Sequence, residues 1–155
     1  MPTPCIKLRN ITKHYGEDNA KTTVLNGVNV DIERGECIAI IGASGSGKST
    51  LMNIMGLLDI ANQGEYWLNG TLVASLNEPE LAALRATTLG FIFQQFHLLP
   101  RFSALQNVTL ALEYAGYPAR DVVERAHMCL ADVGMADYAA HRPNQLSGGQ
   151  QQRVA

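Results

Sequence analysis

Apolar and polar positions alternate over residues 5–11 (CIKLRNI), the period of a half-buried strand. A polar loop follows over residues 17–21. Residues 23–32 (TVLNGVNVDI) predict a second strand region, broken by a turn near Asn26-Gly27. After a tight connection at residues 33–36, residues 37–41 (CIAII) are wholly apolar and β-rich, which predicts a central strand buried on both faces. Leu51, Met52, Ile54, Met55 and Leu58 then recur at helical spacing. Residues 64–73 hold two short strand-like runs around Asn69-Gly70, a strong hairpin signal. A short helix is expected over residues 78–86, a strand over 90–93 and an exit loop over 94–100. Two helices follow, over residues 103–115 and 119–133, parted by Gly116-Tyr117-Pro118. Arg142-Pro143-Asn144 breaks the chain, and residues 151–155 open another helix.

Composition narrows the class. A chain of 155 residues fits one compact domain, and 46% apolar residues exclude a disordered chain. Twelve Lys and Arg against fourteen Asp and Glu give a net charge of −2, so bulk electrostatics point to no nucleic-acid partner. The longest near-continuous apolar run, residues 37–43, is far short of the ~20 that a spanning helix needs. Met1-Pro2-Thr3-Pro4 has no basic lead into an apolar stretch, so no secretory leader is expected. Three cysteines without CxxC spacing fit a reducing, cytosolic compartment, and His14, His97, His127 and His141 have no metal-ligand spacing.

Residues 42–49 match G-x-x-x-x-G-K-[ST] between an expected strand and an expected helix. Glycines let backbone N–H groups curl around a phosphate, and the helix that follows turns its positive end to the same anion. Lys48 supplies a full charge for the β- and γ-phosphates, and Ser49 a hydroxyl for Mg²⁺. Leu146-Ser147-Gly148-Gly149-Gln150 is a second anion-binding helix start, with a plain N-cap as its simpler reading. Because one phosphate loop already cradles a nucleotide, the second nest is most economically a γ-phosphate site used in trans.

With these motifs in order, the chain resembles the nucleotide-binding domains of ABC transporters. The shared residues are GASGSGKST (42–50), FQQFHLLP (93–100) and LSGGQQQRVA (146–155). More narrowly, it is similar to the group containing the macrolide exporter MacB and the lipoprotein-release ATPase LolD. The resemblance implies an α/β P-loop NTPase fold of the ABC-ATPase type. That fold has a RecA-like mixed sheet, an antiparallel β subdomain and an α-helical subdomain, here with the C-terminal part missing. Residues 1–93 would hold part of the catalytic core with the antiparallel subdomain. Residues 94–147 would hold the Q-loop and helical subdomain, and residues 148–155 the start of the signature helix.

The resemblance also assigns residues. Tyr15 would stack on adenine, as any π-face can. Gly42, Ala43, Ser44, Gly45, Ser46, Gly47, Lys48, Ser49 and Thr50 would hold the ATP phosphates, and Ser147, Gly148, Gly149 and Gln150 the γ-phosphate of a partner's ATP. Ser49 and Gln94 would meet Mg²⁺. Lys48, Gln94, Ser147 and Gly149 would act in hydrolysis. Phe96, Leu98, Leu99, Phe102 and Leu105 form an apolar cluster, either subdomain core or a groove for a coupling helix. The expected partners are a second such domain, head to tail, and a transmembrane permease domain, fused or separate. The expected place is the cytoplasmic face of the inner membrane.

One family element is missing. An apolar run ending in Asp-Glu should follow LSGGQ, the Asp for Mg²⁺ and the Glu for the attacking water, and a switch histidine after it. The 155 residues contain neither, so the chain reads as an N-terminal fragment, with the strand at 37–41 left as an apolar edge. Two rival readings remain. A DNA-repair or chromosome ATPase shares both motifs, but here no heptads, cysteine pairs or basic stripe separate them. The other is a non-catalytic nucleotide-binding module.

Overall fold

The computed structural model describes residues 4–16 and 21–155. These divide into two units, Met1–Arg85 and Ala86–Ala155. The polar loop expected over residues 17–21 lies, but for Lys21, outside the described residues, as do Met1, Pro2 and Thr3.

The first unit is built on an antiparallel sheet. Strands β1 (Ile6–Tyr15), β2 (Thr22–Ile32), β3 (Gln63–Leu68) and β4 (Thr71–Leu72) lie in the order β2-β1-β3-β4. Ile6 faces Ile32 and Leu68, and Leu8 faces Val30 and Tyr66, so Leu8, Ile32, Tyr66 and Leu68 bury one continuous apolar face. The register slips after Leu8, where Asn10 takes a positive φ of 52°. That bulge shifts the alternation by one. Burial therefore passes from Leu8 to Ile11 and Lys13, and the side chain two further on, Tyr15, shares their face.

The turn expected at Asn26-Gly27 is not formed. β2 runs unbroken past it, and a second register slip, between the Lys13–Leu25 and Ile11–Val28 pairs, absorbs the extra residue. A bulge and a turn carry the same local signal, and only pairing with β1 separates them. The Asn69-Gly70 hairpin is as expected: both residues have positive φ, 49° and 82°, the geometry that lets a two-residue turn follow strand twist.

Helix α1 (Lys48–Met55) buries Leu51 and Ile54 and touches β2. It ends at Gly56, and the phenol of Tyr66 donates to the Met55 carbonyl at 2.6 Å. Helix α2 (Glu78–Thr88) turns Leu81 inward, and Arg85 Nη1 donates to the Leu57 carbonyl at 2.6 Å. Asn77 and Glu80 cap its start reciprocally, Oδ1 to N at 3.0 Å and Oε2 to N at 2.8 Å.

Residues 37–41 do not form the expected central strand. They carry no strand pairing, and Ile41 is 90% exposed. Residues 90–93 depart from expectation in the same way, with Ile92 92% exposed. An extended run becomes a strand only when a neighbour takes its N–H and C=O groups. Neither run has a strand beside it among the described residues. The resemblance places the Asp-Glu strand beside residues 37–41, and that pattern does not occur in these residues.

The second unit is helical: α3 (Ala104–Tyr114), α4 (Ala119–Asp132) and α5 (Gly148–Val154). Ser103 and Gln106 cap α3 reciprocally. Val122, Ala126 and Leu130 recur every four residues on the buried stripe of α4. Ala104, Leu130, Met135, Leu146 and Val154 form the core, with Leu98 and Leu105 packed against it. Leu99 and Phe102 stay partly exposed, at 41% and 37%, so the cluster read from sequence splits between core and surface. No helix among the described residues is long and apolar enough to cross a membrane.

Candidate functional site

The loop before α1 is shaped by two close approaches. Gly47 caps the helix at φ 90°, and a Cβ there would lie 2.8 Å from the Val24 carbonyl oxygen and 2.8 Å from Leu25 Cδ2. A Cβ on Gly42 would sit 2.8 Å from Ser46 Oγ. The loop thus presses against β2 at Gly47, where the positive φ and the Val24 backbone both favour glycine, and against its own Ser46 side chain at Gly42. Val24, Ser44, Gly45, Gly47, Lys48, Ser49 and Thr50 line a recess of about 290 Å³.

Lys48 opens α1 and folds its ammonium back over the loop, donating to the Gly42 carbonyl at 2.9 Å and the Ala43 carbonyl at 2.7 Å. The N–H groups of the first helical turn have no acceptor within the helix. Together with the ammonium they make the recess electropositive. This matches the needs of a polyphosphate. Ser49 and Thr50 follow in the same turn and line the same recess.

Tyr15 ends β1 in the same unit, 45% exposed. Its hydroxyl donates to Asp59 Oδ2 at 2.7 Å, and Lys13 Nζ donates to Asp59 Oδ1 at 2.6 Å. Burial pushes the Asp59 carboxyl up, but the hydrogen bonds from Lys13 and Tyr15, the Ile60 amide and the Lys13 charge outweigh it and hold the pKa below the usual carboxylate range.

In the second unit, Ser147 caps α5. Its Oγ accepts from the Gln150 amide at 3.3 Å, and Gln150 Oε1 accepts from the Ser147 amide at 2.8 Å. Gln150 is thereby occupied in the cap, while the Ser147 O–H proton, Gly148 and Gly149 remain at the exposed helix start. Gln94 lies in an exposed loop. Neighbours of that loop touch the signature helix: the Phe93 carbonyl accepts a long 3.5 Å bond from Gln152 Nε2, and the Phe96 ring lies 3.8 Å from where a Gly148 Cβ would be. Tyr15 and the phosphate loop fall in the first unit, Gln94 and residues 147–150 in the second.

The family described as ABC transporter matches residues 25–155. The chain belongs to the ABC transporter family. It is 47% identical over 155 residues to the macrolide export ATP-binding/permease protein MacB of Pasteurella multocida, a match covering 100% of this chain and 24% of that protein. It is 51% identical over 156 residues to the pyoverdine export ATP-binding/permease protein PvdT of Pseudomonas fluorescens, again covering 24% of the relative. The chain therefore spans about a quarter of the length of these curated relatives. A dimeric bacterial ABC transporter cassette of known structure matches with a TM-score of 0.85 at 42% identity, covering 96% of this chain and 66% of that one. The same cassette in a post-hydrolysis state bound to ADP and phosphate matches equally well.

The ABC-ATPase fold class follows from that likeness. The described sheet is antiparallel throughout, and the runs expected to supply core strands are unpaired. Sequence reasoning did not bring out the Lys13–Asp59 ion pair beside Tyr15. Lys13 is separated from Asp59 by 46 positions, and nothing in the local pattern of either marks the pair.

Proposed function

We propose that the protein is the ATP-binding domain of an ABC export system, coupling ATP binding and hydrolysis to export or lipoprotein release through a transmembrane permease domain. The observation that carries this reading is the phosphate loop. Gly47 is pinned against Val24, and Lys48 sits at the mouth of a helix start. Relatives named as ATP-binding/permease proteins favour a fused permease and a cytoplasmic position at the inner membrane. The dimeric cassette favours a head-to-tail pair.

In this reading the amides of residues 42–47 and Lys48 hold the β- and γ-phosphates. Tyr15 stacks on adenine. Ser147, Gly148 and Gly149 of the partner domain close on the γ-phosphate, with Gln150 holding Ser147 in place. The Ser49 hydroxyl and the Gln94 amide oxygen are hard oxygen donors, fit to hold Mg²⁺, which when bound neutralises phosphate charge. Catalysis is positioning and electrostatic stabilisation of phosphoryl transfer to water. Closure of the domains transmits force to the permease, and hydrolysis lets them reopen.

Lys48→Ala in the full-length protein tests the reading. Loss of one charged transition-state contact should lower steady-state phosphate release by about 10²- to 10³-fold. Normal turnover in that variant would refute the assignment.

A further inference from the structure

The Lys13–Asp59–Tyr15 cluster is more elaborate than a fold staple requires. Asp59 lies just past α1, the helix that begins at the phosphate loop. Both carboxylate oxygens are engaged. Oδ1 accepts from Lys13 Nζ at 2.6 Å and from the Ile60 amide at 2.7 Å, and Oδ2 accepts from the Tyr15 hydroxyl at 2.7 Å. Lys13, only 9% exposed, also donates to the Ile60 carbonyl at 2.7 Å. Its ammonium stands over the Tyr15 ring, 5.0 Å from the centroid.

The segment after α1 is already tied to β1 without this cluster. The Asn62 amide donates to the Thr12 carbonyl at 2.9 Å, and Asn62 Oδ1 accepts from the His14 amide at 2.9 Å. The bond from Tyr15 to Asp59 adds no new attachment of backbone to backbone. It fixes a ring. Two residues apart on β1, Lys13 and Tyr15 share one strand face, so one carboxylate reaches both. Lys13 stands over one face of the ring, and Tyr15 as a whole is 45% exposed.

We propose that Asp59 is a positioning residue for the base of the nucleotide: its carboxylate locks the Tyr15 phenol, with Lys13 behind it, so that the ring presents one fixed face. The proposal rests on the reading of Tyr15 as the adenine platform. A ring held beforehand spends less of its stacking energy on becoming ordered. The cluster also ties the base platform to the far end of the helix that carries Lys48.

The test compares ATP with inorganic tripolyphosphate, which has no base, by competition against a fluorescent nucleotide on the full-length protein. Tyr15→Phe, which deletes the hydroxyl, and Asp59→Asn, which leaves one acceptor oxygen where Lys13, Ile60 and Tyr15 need two, should each weaken ATP by about threefold to tenfold, the size of one hydrogen bond. Tripolyphosphate affinity should be unchanged. The double variant should be no weaker than the worse single variant, because Tyr15→Phe already removes the hydroxyl through which Asp59 acts on the ring. Tyr15→Ala should weaken ATP further, again sparing tripolyphosphate. Unchanged ATP affinity in Tyr15→Ala overturns the platform reading itself. A loss in Tyr15→Ala with none in Tyr15→Phe or Asp59→Asn overturns the positioning role alone. So does an equal loss for ATP and tripolyphosphate in Asp59→Asn, which would make the residue a staple only.

Discussion

Gly47 and Gly45 look alike in the phosphate-loop motif, yet they differ in what surrounds them. Both have positive φ, 90° and 79°. Around Gly45 a Cβ would meet nothing within 4 Å, whereas at Gly47 it would strike the Val24 carbonyl at 2.8 Å. Gly45→Ala should therefore lose only the conformational cost of a left-handed residue, about 1–2 kcal/mol. Gly47→Ala should lose that and an overpacking cost of about 1–3 kcal/mol besides, since backbone cannot swing aside as a side chain can. Urea midpoints of the two variants at constant m-value give the comparison. Equal midpoints would show that the loop does not press on β2 as described.

The helix that opens the LSGGQ motif shows how an element can serve stability and function through one side chain. Ser147 Oγ accepts from the Gln150 amide, and the Ser147 amide donates to Gln150 Oε1 in return, a reciprocal form of the N-cap expected there. Ser147→Ala should cost about 1 kcal/mol of stability. Ser147→Asp should keep the cap, because a carboxylate accepts the same N–H, while placing a negative charge where a γ-phosphate is proposed to dock. Urea unfolding together with phosphate release on the full-length protein separates the two roles. Ser147→Asp with normal turnover would leave the residue as a cap alone. Elements whose order comes from their own residues were legible in this way: the Asn69-Gly70 hairpin, the capped helices α2, α3 and α5, the amphipathic α4. Elements that depend on a distant neighbour were not. Asn26-Gly27 became a bulge because β1 pairs on both sides of it, and residues 37–41 are apolar enough for a strand but have none beside them.

The same division runs through the site. Residues 42–49 are legible because consecutive amides, one lysine and one helix start do the work, and all are neighbours in sequence. Tyr15 and Gln94 were visible only through family resemblance. Asp59 was invisible because its partners, Lys13 and Tyr15, reach it across a fold that a bulge re-registers. Hydrolysis asks for still more. A γ-phosphate attacked by water needs a carboxylate to orient that water and another to help hold the metal. No apolar run ending in Asp-Glu occurs within these 155 residues, while the G-x-x-x-x-G-K-[ST] motif at 42–49 is entire. We propose that the 155-residue chain by itself separates the two functions. It should bind ATP through Lys48 and the loop amides, yet release phosphate at far below the ~1 s⁻¹ of a working enzyme. Nucleotide titration beside a steady-state phosphate assay reads both quantities on one sample. Turnover near or above that rate would mean that a carboxylate already present serves as the base, and the assignment of the catalytic acids to the missing motif would fall. Absence of ATP binding would mean instead that the loop needs the rest of the ABC fold to keep its shape.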